Sequence, residues 1–224
     1  NVSGMHDGFA IVPGVFGSGE LDEIARELGA ESLRRSRAGA RHLLSMPAVG
    51  ALARDSRLMT LAADVLGCEP VPFGATLFDK SRDANWLVVW HQDTALPLVE
   101  RREAASWGPW SEKSGVVYAH APATALSKVV ALRVHLDDST PVNGPLRVLP
   151  ATHTLGVLTD AQIHDAARRI EPVACTVERG GVIVMRPLIV HASSKVTAAA
   201  SRRVLHFEYA AAVNFAEGVR LRAA

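Results

Sequence analysis

Cysteine is scarce: Cys68 and Cys175 are the only two in 224 residues. They stand far apart and match no zinc-ligand spacing, so the expectation is two buried free thiols in a reducing compartment. No stretch of 18 apolar residues is present, which excludes a membrane-spanning helix. No charged-then-apolar leader opens the sequence, which points to a soluble cytoplasmic protein, although a start at Asn1 leaves room for residues upstream. An excess of one charge is also missing. Lys and Arg number 24 against 23 Asp and Glu, a net charge of +1. That balance argues against nucleic acid as the main partner. The one basic cluster, Arg34, Arg35, Arg37 and Arg41, reads as a solvated surface or substrate loop, with a polyanion site as the other option. No repeat, linker or low-complexity segment divides the chain, so one domain is expected.

What is present changes character along the chain. The first 70 residues are helical in pattern. Ser18 can cap a helix with Glu20, Asp22 and Glu23 in its first turn, and Leu21, Ile24, Ala25 and Leu28 recur at helical spacing before Gly29. A second helix is expected from about Asp55 to Leu66, with Leu58, Leu61, Ala62, Val65 and Leu66 on one side and Gly67 as the stop. Arg41 to Pro47 is ambiguous.

From Val71 short β-branched runs take over. The candidate strands are Phe73 to Phe78, Trp86 to Gln92, Val116 to His120, Val129 to Leu136, Leu146 to Leu149, Val173 to Val177, Val182 to Met185 and Val204 to Ala210. One helix interrupts them, opened by a Thr159–Gln162 capping box and ended by Pro172. The order predicts a mainly β fold: a double-stranded β-helix (jelly roll, cupin-like) over about 71–211, with helices packed on the outer face of one sheet.

Strand phase sharpens this. Val130, Leu132, Val134 and Leu136 share one face, and Arg133 and His135 the other. The aliphatic set should face the helices and the polar pair the interior. In the last strand Leu205, Phe207 and Tyr209 oppose Arg202, Val204 and His206, so Arg202 should point inward and Arg203 away.

The segment Trp90-His91-Gln92-Asp93 places an imidazole and a carboxylate two residues apart, on one face of a strand. A chance His-x-Asp, whose members simply satisfy each other, is the bland reading. His191, from a distant strand, would complete two histidines and one carboxylate. That facial set leaves positions open on a metal and is characteristic of non-haem Fe(II) oxygenases. Arg202 follows His191 by eleven residues, room for a strand to end, turn and return. Its guanidinium could grip the far carboxylate of a 2-oxo acid.

Around these residues the chain resembles the phytanoyl-CoA dioxygenase family of Fe(II)- and 2-oxoglutarate-dependent oxygenases. The matching stretches are Leu77 to Lys80, Trp90 to Asp93, Arg133 to Asp138, Asn143 to His153, and Gly180 to Ser193 continuing into Arg202 to Leu205. They run in the family's order over roughly residues 70 to 210. Asp7-Gly8-Phe9 ahead of Val12-Pro13-Gly14 resembles its opening. The resemblance implies that His91, Asp93 and His191 ligate iron, that Arg202 pairs with 2-oxoglutarate, and that Ser193 adds a hydroxyl to it. Pro150-Ala151-Thr152-His153 departs mildly from the family's Pro-Gly-Ser-His. His153 is read as a structural polar contact, and Asn143-Gly144-Pro145 as a turn.

Lys80, Arg133 and His135 lie on strands that would line the cavity. Lys80 is either an exposed strand-end charge or a partner for a carboxylate of cosubstrate or substrate. Arg133 and His135 are candidate polar cavity groups, and a buried guanidinium needs an anion, from protein or ligand. Residues 94 to 115 read as a strand-free insertion whose Trp107 and Trp110 form a substrate lid, or else cover a gap in the core. The function implied is oxidation of a small molecule with O2, releasing succinate and CO2, by a monomer or homodimer. Asp93 favours hydroxylation, desaturation, ring closure or epimerisation, because related halogenases omit this carboxylate. The rivals are a cupin-like metalloenzyme that does not use 2-oxoglutarate and a non-catalytic jelly-roll module.

Overall fold

The computed structural model describes residues 2, 5–30, 35–36, 39–80, 87–195 and 202–223. In chain order these form β1 (Phe9–Val12), α1 (Ser18–Ala30), β2 (Arg35–Ser36), β3 (Gly39–Ala40), α2 (Pro47–Ala53), α3 (Ser56–Leu66), β4 (Val71–Lys80) and β5 (Val88–His91). There follow β6 (Ala95–Leu98), β7 (Trp110–Lys113), β8 (Val116–His120), α4 (Ala123–Leu126), β9 (Val129–His135) and β10 (Leu146–Val148). The last elements are α5 (Asp160–Arg169), β11 (Val173–Cys175), β12 (Val182–Met185), β13 (His191–Ser193) and β14 (Arg202–Ala210). Among the described residues no helix is long and apolar enough to cross a membrane.

Two sheets make the barrel. One runs β1-β12-β9-β14-β4-β3-β2 and the other β11-β10-β13-β5, antiparallel throughout. The outer face of the large sheet carries Val130, Leu132, Val134, Leu205, Phe207 and Tyr209, packed against Leu21, Leu28, Val49, Leu58 and Leu61 of the helices. Tyr209, whose ring is buried there, satisfies its hydroxyl on the Ala53 carbonyl at 2.8 Å. The inner faces meet where Ala131, Ile183 and Met185 of the large sheet touch Leu146, Val148 and Cys175 of the small one. Both cysteines are free thiols, but only Cys175 is buried; Cys68 is exposed beside the α3 cap.

Local chemistry explains the helix ends. Asp55 caps α3 by accepting from the Arg57 N–H, and Gly67 ends it in the left-handed region at φ 72°. The Thr159–Gln162 capping box opens α5, whose Ile163 is buried. In the ambiguous stretch before Pro47, Leu43–Ser45 form a single 3₁₀ turn, and Pro47 opens α2 at a position where its missing N–H costs nothing.

Several expectations are corrected. The helical start also holds a strand: β1 pairs with β12 along the sheet edge, and four residues are too few to show a period. Residues 94–115 are not strand-free. β6 and β7 flank β8 in a third sheet of order β6-β8-β7, and the C-terminal segment clasps it. Leu98 bridges Leu221, Val99 N donates to the Arg220 carbonyl, and Arg222 N donates to that of Pro97. The strand expected from Trp86 starts at Val88, with residues 81–86 outside the described set.

Candidate metal centre

β5 and β13 are antiparallel neighbours, and His91 and His191 are direct partners across them. Their rings stand 4.2 Å apart between centroids. Each ring is turned by its own backbone: His91 Nδ1 lies 2.8 Å from the Val89 carbonyl and His191 Nδ1 2.9 Å from that of Ile189. A carbonyl only accepts, so each Nδ1 carries the proton and each Nε2 is left with a lone pair aimed at Asp93. Asp93 Oδ1 is 3.5 Å from His91 Nε2, and Oδ2 is 3.4 Å from His191 Nε2. Ligand atoms of all three fall within 4.8 Å of one another.

Two imidazole nitrogens and a carboxylate facing one point, without a proton to share, form a hole for a cation. Burial pushes the His191 imidazole down to about 4, so it stays neutral and ligand-ready. Burial would raise the Asp93 carboxyl, but a proton on either histidine outweighs it and holds Asp93 well below the usual carboxylate range, and the same pairing raises the His91 imidazole against its burial. The donor set fits a first-row divalent metal with open positions, the arrangement of non-haem iron.

The loop that delivers Asp93 is braced by Gln92, a residue the sequence reading passed over. Its amide donates to the carbonyls of Gly156 and Leu188 and accepts from Leu158 N. Asp93 N donates to the Pro187 carbonyl at 3.0 Å. The available signal was alternation, which turns Gln92 away from His91 and Asp93 into the protein.

Beside the triad lies a cavity of about 430 Å³ whose cationic wall is Lys80, Arg133 and Arg202. Lys80 and Arg202 are direct partners on β4 and β14. Both are buried, as is Arg133 on β9. Lys80 Nζ donates to Ser193 Oγ and to the Ser194 carbonyl, each at 2.6 Å. Arg202 Nε reaches the Asn143 carbonyl at 3.4 Å, while one of its terminal nitrogens has no partner. Arg133 lies over the Phe78 ring at 5.0 Å and meets His206 Nδ1 at 3.2 Å, with its Nε unpartnered. Burial, then mutual repulsion, pushes Lys80 down to about 8 and Arg202 to about 10. Asp93 is the one carboxylate on this cavity among the described residues.

The Asn143-Gly144-Pro145 turn sets Arg202 in place. Asn143 ties the turn to Thr140 and Asp138, and Gly144, at φ 69°, lets the chain pass the Ser194 carbonyl, 2.4 Å from where a Cβ would stand. Arg203 points the other way and makes a two-pronged pair with Asp137, both contacts at 2.8 Å.

Other candidates sit elsewhere. His135 is fully buried on β9, its Nε2 without a partner, and it does not line the cavity. Its Nδ1 lies 3.2 Å from the Arg133 carbonyl, and its backbone pairs with Gly180 and Gly181. The lid reading is corrected for both indoles. Trp107 is buried among Phe73, Leu96 and Leu98 and packs on Phe215 at 5.6 Å, because the third sheet needs a core of its own. Trp110 is part of β7 and packs against the same cluster. His153 packs over Gly8, and its Nδ1 has no hydrogen-bond partner among the described residues. Of the basic cluster, Arg41 is exposed at the cavity mouth, and residues 34 and 37 lie outside the described set. His206, assigned no role from sequence, lines the space beyond Asp93; it shares the inward phase of Arg202.

The fold has solved counterparts. EctD from S. alaskensis in its apoform superposes with TM-score 0.69 at 21% identity, covering 92% of this chain and 74% of that one. AviO1 from Streptomyces viridochromogenes Tue57 gives 0.66 at 24%, covering 92% and 90%. HygX from Streptomyces hygroscopicus, with nickel, 2-oxoglutarate and hygromycin B bound, gives 0.65 at 20%, covering 93% and 85%. No curated protein matches the chain in sequence. The sequence profile of the family described as Phytanoyl-CoA dioxygenase (PhyH) matches residues 5–204. The chain therefore belongs to the phytanoyl-CoA dioxygenase family of Fe(II)- and 2-oxoglutarate-dependent oxygenases.

Proposed function

We propose that this oxygenase hydroxylates a small polar molecule, with His91, Asp93 and His191 holding Fe(II) and with Arg202, Lys80 and Ser193 seating the far carboxylate of 2-oxoglutarate. The observation that carries the seating is the unpartnered guanidinium nitrogen of buried Arg202 beside Lys80 and Arg133. Such a concentration of buried positive charge is costly without an anion, and the cavity wall supplies Asp93 alone. A dicarboxylate with one end at the metal and the other at Arg202 would balance it. A cupin-like metalloenzyme without 2-oxoglutarate leaves this wall without a purpose.

Bound Fe(II) would supply the activation of O2, coupled to conversion of 2-oxoglutarate to succinate and CO2. The chain's own contribution is orientation and dryness. Two backbone carbonyls fix the imidazoles, Gln92 braces the loop before Asp93, and the buried cationic wall fixes the cosubstrate. The hydrocarbon face of Leu146 and Phe78 keeps water from that end. Arg133 acts from behind, holding His206 and the shape of the wall.

A small-molecule substrate is supported by partly open cavities of a few hundred Å³. HygX holding hygromycin B, and EctD solved with 5-hydroxyectoine, support a polar one. A reducing cytoplasm suits the two free thiols. Succinate formation from 2-oxoglutarate with added Fe(II) tests the activity, and transfer of labelled oxygen from O2 into product tests hydroxylation. Absence of iron-dependent succinate across a broad substrate panel would sink the proposal.

A further inference from the structure

The inner face of β14 changes sign along its length. Arg202 stands at one end and Glu208 six residues further on, on the same side of the strand, roughly 20 Å away. Between them lies His206. Glu208 borders a cavity of about 270 Å³ on the far side of Asp93, together with Thr76, Tyr118, His120 and His206. It also borders a second space of about 400 Å³ that shares Arg41, Thr76 and Tyr118, so the carboxylate stands where the two join.

Room has been made for that carboxylate. Gly74 is the direct partner of Glu208 on β4, and a Cβ there would lie 2.4 Å from Oε2 and 3.3 Å from the Glu208 Cβ. Glu208 is only half-buried, because it opens onto the cavity. Yet it makes no hydrogen bond or ion pair among the described residues. The nearby cations make no ion pair with it among the described residues: Lys113 lies over the Tyr118 ring at 5.0 Å, and Arg41, which lines both spaces, acts on the carboxylate only through its field. Burial, reinforced by Asp93 and only partly offset by Arg41, pushes the Glu208 carboxyl up to about 8.

We infer that the cavity beyond Asp93 is the substrate site, and that Glu208 receives a positively charged nitrogen of the substrate there. This rests on the assignment of the Arg202 side to the cosubstrate. The cosubstrate occupies the cationic cavity, so a substrate must reach the metal from the other side, where Thr76, Tyr118, His120 and Glu208, a carboxylate without an ion pair among the described residues, form the wall together with Arg41 and Lys113. Hydroxyl and imidazole groups around an acid suit a hydroxylated amine, with the ammonium on Glu208 and hydroxyls on Thr76 and Tyr118. The two ends of β14 thus sort a dianion from a cation.

The test uses matched probes: D-glucosamine against D-glucose, and cyclohexylamine against cyclohexanol. Each is titrated by calorimetry into the full Fe(II)-loaded chain with oxygen excluded. At least one amine should bind tenfold or more tightly than its alcohol partner. Glu208→Gln should remove that preference and leave alcohol binding as it was. Gly74→Ala, which crowds the carboxylate without changing charge, should weaken amine binding severalfold and guards against a folding defect in the first variant. Equal binding of amine and alcohol, no amine binding at millimolar concentration, or an amine preference that survives Glu208→Gln would each overturn the inference. 2-Oxoglutarate titrated into the same protein keeps the two assignments apart. Its binding without an amine preference defeats this inference alone, and an amine preference without its binding defeats the cosubstrate assignment.

Discussion

His91 and His191 face each other across β5 and β13, and each is aimed by a carbonyl two residues before it, that of Val89 within β5 and that of Ile189 just ahead of β13. Ring orientation is therefore set by backbone rather than by other side chains. Removing one imidazole should leave the sheet standing. His191→Ala and His91→Ala are expected to lose stoichiometric Fe(II) binding by titration while their far-UV spectra stay unchanged. Retained tight iron binding in either variant would contradict the triad.

Arg202 and Arg203 are adjacent yet oppositely placed, one at the cationic wall and one on Asp137. Losing a charge-assisted contact costs on the order of 1.5–3 kcal/mol, or about ten- to a hundred-fold in affinity. Arg202→Ala should show that loss for 2-oxoglutarate. Arg203→Ala should not, and should instead cost roughly 1 kcal/mol or less of stability, since its pair is partly exposed.

The Asp137 pair gives that stability loss a pH signature. Burial opposes ionisation of Asp137, but the Arg203 bonds outweigh it and lower the folded-state pKa. The stabilisation is therefore full above the unfolded carboxyl pKa and disappears as pH falls through the folded one. Denaturant curves of wild type and Arg203→Ala should differ at neutral pH and converge in acid. A constant gap would exclude the pair as its source.

Lys80, held at about 8 by burial and by the two arginines, loses its charge within the accessible range. If it seats a carboxylate, 2-oxoglutarate affinity should fall as pH rises through about 8, by at most tenfold per unit. Lys80→Met should bind more weakly at pH 7 and show a flatter profile. Parallel profiles for the two proteins would remove Lys80 from the binding step.

Trp107 is buried against Phe215. Trp107→Ala should cost roughly 3–5 kcal/mol, a fall in melting temperature on the order of 10 °C for a chain of this size. A variant melting like wild type would return the indole to the role of a mobile cover.

Alternation made much of the barrel legible. The aliphatic face of β9 packs on the helices, and the same rule separates Arg202 from Arg203 before any coordinates are seen. His-x-Asp on one strand face and a distant His were readable as ligand types, but their convergence depends on β5 pairing with β13, which no local pattern encodes. The short strands β1, β6 and β7 were missed because four residues carry too little periodicity. The indoles misled for a related reason: Trp in a long loop reads as a cover until the loop proves to be a sheet with its own core. Glu208 was silent, since its meaning comes from Gly74 across the strand pair and from an absent partner.

The clasp between the third sheet and the segment around Leu221 joins parts of the chain that are far apart in sequence. Thr94, Lys113, Tyr118 and His120, which wall the space beyond Asp93, belong to this clasped unit, whereas the metal ligands His91 and His191 lie on the barrel's small sheet. The third sheet carries no metal ligand, although its core cluster also takes in Phe73, Val129 and Ala210 of the barrel, and Thr76 and Glu208 of the same space stand on the barrel strands β4 and β14. Protein engineers can randomise β6 to β8 together with residues 211–223 as one cassette, varying part of the wall beyond Asp93 without touching His91, Asp93 or His191.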